Sequence, residues 1–267
     1  MIREPIAAGQ FYPGSSGGLR KMLESMVDDR AEKVKAFGLI SPHAGYIYSG
    51  MVAGAVISKV KFTDTFVMLG PNHTGQGRNF SIMTEGSWIT PLGEVDIDGA
   101  LAKQILASSS YLQEDLEAHQ YEHSLEVQVP FLQYFKADVR IVPIILAQAR
   151  GGVYKKIGKE LAGSIKESKR QVTILASSDM THYEPQESAR KKDNKAIEAI
   201  LNLDEDELLR RVADLDISMC GYAPVVALIS AAKELGATKA ELVKYQTSGD
   251  ASGDYRSVVG YAGILLK

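Results

Sequence analysis

Short runs crowded with Val, Ile and aromatic residues alternate with longer amphipathic stretches along this 267-residue chain, and that alternation limits the folds open to it. "KAFGLIS" (35–41), "DTFVMLG" (64–70), "DVRIVPIIL" (138–146), "QVTILAS" (171–177), "AELVKYQ" (240–246) and "SVVGYAGILL" (257–266) have strand composition and are bounded by breakers. Residues 17–29, 48–60, 98–108, 123–135, 153–168, 186–202, 205–213 and 222–235 read as helices. Leu208, Leu209, Val212 and Leu215, for example, recur at the spacing of one helical face. The pattern predicts an α/β three-layer sandwich with a central mixed sheet flanked by helices. "FSIMTEGSWITPLGEVDI" is hairpin-like around Pro91-Leu92-Gly93, an antiparallel addition expected to make the sheet mixed. No repeat, low-complexity segment or long linker interrupts the chain, so residues 1–267 read as a single domain.

Composition narrows the function classes. With one cysteine no intrachain disulfide can form. The N-terminus "MIREPIAAGQFYP" has no apolar signal-peptide core, and runs such as "VPIILA" are too short to cross a bilayer. A cytoplasmic protein without a membrane partner is expected. A net charge of −3 and a pI near 6.0 do not favour nucleic acid, and "SARKKDNK" and "LLRRV" are solvated helix faces interrupted by acids.

The polar residues fall in a pattern. His43 follows the first main strand in "LISPHAGY", His73 follows the second in "VMLGPNHTG", and Asp179 and His182 follow the fourth in "ILASSDMTHYE". In open α/β sheets, ligands bind outside the carboxyl ends of the strands. Pro and Gly beside His43 and His73 suit a preorganised ligand better than a mobile side chain. His119-Gln-Tyr-Glu122-His123 matches the H-x-x-E-H pattern of zinc peptidases, but it lies at a helix start with Pro130 close behind. Glu122, His123 and Ser124 as caps of the helix beginning "SLEVQ" are the simpler reading, with His123 still able to face the strand-end histidines. Cys220 precedes a helix whose first turn holds Pro224, a position where free N–H groups favour a thiolate. A buried, inert thiol is the competing reading. "TSGDASGDYRSVVGYAG" lacks P-loop order and reads as a connector, with Asp250 and Asp254 within reach of the pocket rim.

Seven segments, in order and across the whole chain, carry a family resemblance: "AGQFYP", "SPHAGYIYSG", "LGPNHTG", "EHSLEVQVPFL", "SSDMTHY", "CGYAP" and "SGDASGD…SVVGYAG". Together they resemble the Memo family. That resemblance implies the fold of the class III extradiol dioxygenases, enzymes that hold non-haem Fe(II) with two His and one Glu. Carried over by position, it implies His43 and His73 as metal ligands and Cys220 as the third, standing where the dioxygenases have Glu. His123, His182 and Asp179 match further pocket residues, and His119 matches none. Thiolate in place of carboxylate softens the site toward copper, zinc or a different iron chemistry and makes the ligand oxidisable. The family is also associated with motility signalling and phosphotyrosine-peptide binding, and its prokaryotic members with AMMECR-type and radical-SAM proteins as partners.

Three functions follow. In the first, His43, His73 and Cys220 bind Fe, Cu or Zn in an oxidoreductase-like site, with His123 and His182 as acid/base groups and Asp179 orienting one of them. In the second, a thiol hydrolase or acyl transferase uses Cys220 as nucleophile, His182 or His43 as base and Asp179 as orienter. In the third, the pocket only binds a peptide or small-molecule ligand.

Overall fold

The computed structural model describes residues 1–267. Twelve strands run in chain order as β1 (Ile2–Arg3), β2 (Gly38–Ser41), β3 (Thr65–Pro71), β4 (Phe80–Ile82), β5 (Ser87–Thr90), β6 (Gly93–Asp96), β7 (Gln113–Glu114), β8 (Arg140–Leu146), β9 (Val172–Ser177), β10 (His182–Glu184), β11 (Ala240–Thr247) and β12 (Val258–Leu266). The helices are α1 (Ser16–Glu24), α2 (Tyr46–Ser58), α3 (Gly99–Ser108), α4 (Glu117–Gln120), α5 (Val129–Phe135), α6 (Gly151–Ser168), α7 (Gln186–Leu201), α8 (Glu205–Asp214), α9 (Tyr222–Leu235) and α10 (Gly249–Ser252).

The main sheet has the order β10-β12-β2-β9-β3-β8-β4-β7, with β11 also paired to β12. Its centre, β2-β9-β3-β8, is parallel, and these strands are buried almost throughout, as a sheet covered on both faces requires. The β12 register shows how the two faces are filled. Ile264 pairs with Ile40, so these side chains and Gly38 share a face, where a Cβ on Gly38 would meet Leu228 of α9. Gly263 points the other way and packs on Val56 of α2. Helices α2 and α9 therefore sandwich the sheet, around one contiguous core of 69 buried residues.

Residues 80–97 do add an antiparallel strand to the main sheet, through β4, which pairs with β8. Strands β5 and β6 do pair around Pro91-Leu92-Gly93, but with β1 they form a separate three-stranded sheet. The antiparallel pairings of the main sheet come from β4, β10, β11 and β12. Residues 123–135 also differ from one continuous helix. A 3₁₀ turn spans Glu126–Gln128 and α5 begins only at Val129, with Pro130 in its first turn. Proline lacks the N–H a longer helix would need there. No helix is long and apolar enough to cross a membrane.

Candidate metal centre

The parallel strands end along one sheet edge, and the loops that leave them carry the polar residues. His43 follows β2, His73 follows β3, and Asp179 and His182 follow β9. His123 arrives in the loop between α4 and the 3₁₀ turn, and Cys220 in the loop before α9. All six line one pocket of about 490 Å³, with Phe11, Tyr183 and Ser218 among its other walls.

Three imidazoles converge. One ring nitrogen from each of His43, His73 and His123 lies within 4.8 Å of the others. The His73 and His123 rings stack at 4.9 Å, and His43 stands edge-on to both, at 5.2 and 5.6 Å. Cys220 Sγ lies 3.2 Å from His43 Nε2.

Hydrogen bonds decide which nitrogens are free. Ser177 Oγ donates to the Ser124 carbonyl at 2.7 Å, so it must accept at 2.9 Å from His43 Nδ1 and from Gln128 Nε2. His43 is thereby fixed with its proton on Nδ1 and the lone pair of Nε2 facing Cys220. His73 Nδ1 lies 2.9 Å from Glu122 Oε1, a carboxylate that can only accept, which leaves Nε2 as the free donor atom. His182 Nδ1 likewise donates to the Ser218 carbonyl at 2.9 Å. Partners of this kind hold metal-binding imidazoles in orientation and tautomer.

Burial divides the charges. It pushes His43 well below the usual histidine range, assisted by the neighbouring imidazoles, so His43 stays neutral. It also opposes protonation of His73, but the Glu122 hydrogen bond and charge outweigh it and raise that histidine. Burial pushes the Glu122 carboxyl up, yet its bonds to His73 and to the Ser124 main chain bring it down to about 2. Burial carries Asp179 up to about 6, against the His43 and Ala44 N–H groups that favour its charged form.

Two expectations change here. Asp179 orients no ring: its Oδ1 accepts the main-chain N–H of His43 at 2.7 Å, holding the backbone that carries that imidazole. At Cys220, burial, with the charge of Asp179 adding to it, outweighs the Asp179 main-chain N–H that favours the charged form, and drives the thiol far above the ordinary range rather than toward the thiolate expected ahead of α9. A neutral S–H facing the Nε2 lone pair of His43 is the resting arrangement.

His119 sits apart, as its lack of any match implied. It is fully buried against Trp88, with ring centroids 6.2 Å apart, and burial holds it down at about 3. The H-x-x-E-H pattern is not one helix face, because α4 ends at Gln120. Glu122 instead accepts from the His73 main chain at 2.6 Å and from Ser124 N at 2.8 Å, a partial cap of the following turn. Asp250 and Asp254 do not reach the rim: Asp250 accepts from Thr247 N and Asp254 pairs with Arg256. The sequence did not single out Ser177, Gln128 or Phe11, whose ring lies 4.6 Å from that of His123. Their roles come from contacts distant in the chain.

The donor set suits a transition metal. One ring nitrogen from each of His43, His73 and His123 converges, and the Nε2 lone pair of His43 also faces the Cys220 thiol. Tetrahedral zinc with bonds of about 2.0 Å to N and 2.3 Å to S separates an N and an S donor by roughly 3.5 Å. The 3.2 Å between Cys220 and His43 is close to that spacing.

Comparison with known proteins gives the same family as the sequence motifs. A family model described as "Memo-like protein" matches residues 3–265. A "MEMO1 family protein" of Methanococcoides burtonii is 45% identical over 274 aligned residues, covering 100% of both chains. Another, of Aquifex aeolicus, is 44% identical over 267, covering 99% of each. Among solved structures, the uncharacterized protein JW3007 from Escherichia coli K12 is similar in fold, with a TM-score of 0.57 at 16% identity, over 84% of this chain and 98% of that one.

Proposed function

The chain belongs to the Memo-like family, and from that premise we propose that its strand-end pocket is a transition-metal centre held by His43, His73 and Cys220. The observation that carries this reading is the tautomer lock: Ser177 and Glu122 engage both Nδ1 atoms and leave the two Nε2 lone pairs as donors. His123 lies against the same cluster and is the competing third donor. Iron, copper or zinc suits imidazole plus sulfur. Such an ion supplies Lewis acidity or, for iron and copper, one-electron chemistry, and it stabilises the thiolate that burial disfavours.

The protein residues have separate tasks. Asp179 and Gln128 hold the peptide unit that joins Pro42 to His43: Asp179 accepts from His43 N, and Gln128 donates to the Pro42 carbonyl. His182, with its proton on Nδ1, presents Nε2 to take a proton from a bound ligand. His123, kept mainly neutral by burial, serves as the second acid/base group. The class of reaction is oxidoreductase-like.

Purification without chelators or nickel, followed by elemental analysis, tests the reading. Native protein is expected to retain one first-row metal and the His43→Ala/His73→Ala variant to retain none; equal content in both rejects it. With cobalt(II) loaded, a sulfur-to-metal charge-transfer band that disappears in Cys220→Ser identifies the third ligand as Cys220 rather than His123.

The contact between Cys220 and His43 also favours a second reading, a thiol nucleophile with His43 as its base. In that case Cys220→Ser abolishes turnover while metal removal leaves it intact.

A further inference from the structure

Tyr183 follows His182 and lines the histidine pocket, yet packing does not account for it. Four non-glycine residues have positive φ. Lys169, Leu203 and Asp216 each come one or two residues after a helix, where a left-handed residue is ordinary. Tyr183, at φ 59, lies instead inside β10, and a bulky side chain is disfavoured in that conformation. The pairing with β12 shows why the backbone turns. His182 pairs with Val259 and Glu184 with Val258, so Tyr183 is the extra residue of a bulge.

The bulge is clamped on both sides. Met180 N donates to the Gly260 carbonyl and Gly260 N to the Thr181 carbonyl. Thr181 N donates to the buried Asp193 at 2.9 Å, and His182 N to Ser218 Oγ at 2.7 Å. Beyond Tyr183, Glu184 accepts from Ser188 and Lys192. Asp193 fits only because residue 260 is glycine, since a Cβ there would overlap its carboxylate. These contacts impose the left-handed turn whatever residue stands at 183, and asparagine or glycine would adopt it at less cost.

The tyrosine ring returns little to the fold. Tyr183 is 77% exposed, and its ring meets His182 edge-on, with centroids 5.7 Å apart. A contact from outside the chain would offset both the disfavoured backbone and the exposed ring. Phe11, Ala44 and Val259 give the same pocket further apolar surface beside its imidazoles.

We propose that Tyr183 is a specificity-determining residue: with Phe11 it forms the wall that receives the apolar body of a ligand whose anionic, oxygen-bearing head binds at the metal centre. The head rests on the metal-centre reading, whereas the body rests on the strained and exposed ring.

The test titrates cobalt(II)-loaded protein with acetohydroxamate and hexanohydroxamate, which carry one chelating head on a short and a longer apolar body. Unaltered protein is expected to bind hexanohydroxamate about tenfold more tightly, through partial burial of the added methylenes. Tyr183→Asn is expected to lose most of that preference with acetohydroxamate affinity unchanged, and Tyr183→Phe to keep it. In metal-free protein, the denaturant midpoint of Tyr183→Asn is expected to equal or exceed that of unaltered protein, because asparagine tolerates left-handed backbone. A clearly lower midpoint makes the ring structural and overturns the proposal. So does an undiminished preference for hexanohydroxamate in Tyr183→Asn, or no preference in unaltered protein. Failure of the metal reading shows separately, as unaltered protein that retains no more metal than His43→Ala/His73→Ala.

Discussion

Glu122 is buried beneath His73 and accepts from that residue's main-chain and ring nitrogens at once. A carboxamide in its place keeps the shape but not the charge, so Glu122→Gln loosens the His73 imidazole and lowers its basicity. Removing such a partner costs about 10–100-fold in metal affinity, and competition with a chromophoric chelator is expected to show a loss of that size. The carboxyl also gives a pH dependence. Because it is held at about 2 in the folded protein against an ordinary 4.5, its contribution to stability is complete above 4.5 and disappears as pH falls through about 2. Denaturant midpoints of metal-free protein are expected to decline across that window, and to decline less in Glu122→Gln. Cys220 could be singled out from sequence as the lone thiol ahead of a helix. Its protonation state could not, because it follows from burial among groups remote in the chain.

At the scale of elements, the N-terminal segment completes the pocket through a buried ion pair. Arg3 on β1 donates to Glu126 at 2.8 Å and to the His119 and Glu122 carbonyls, and its guanidinium lies 4.3 Å from the Trp88 ring centroid. Glu126 also accepts from Ile6 N, Ala7 N and the Tyr12 hydroxyl, which fastens the chain on either side of Phe11. Removing one partner of a fully buried pair leaves an uncompensated charge at a cost of about 3–5 kcal/mol. Chemical denaturation is expected to show a loss on that scale for Arg3→Met, with smaller losses at exposed pairs such as Lys103–Glu85. Nothing in "MIREPIAAGQFYP" reveals this role, since the partner lies 123 positions away. The close fit at Gly221 is similar. A Cβ there would come within 2.3 Å of the Ser177 carbonyl, so glycine lets the loop before α9 approach the end of β9 and brings Cys220 to His43.

For the whole molecule, a metal bound only by the folded state stabilises it by mass action, about 2.7 kcal/mol at a hundred times the dissociation constant. Thermal unfolding is therefore expected to move upward with added zinc in the unaltered protein and to stay in place in His43→Ala/His73→Ala. By itself the sequence determined the six main strands, most of the helices and the layered α/β class, because hydrophobic period and breakers are local properties. It also marked the sheet edge where the site lies, since His43 and His73 each come two residues after a strand. Only the tertiary structure decided how the site is arranged: that Glu122 holds His73, that Ser177 leaves Nε2 of His43 free, and that Asp179 grips main chain rather than a ring. It likewise placed the hairpin in a sheet of its own. These outcomes depend on which distant segments meet, and the parallel crossovers bring β2, β9 and β3 together from widely separated parts of the chain. Hydrogen-bond partners and burial belong to that meeting, which no local pattern encodes.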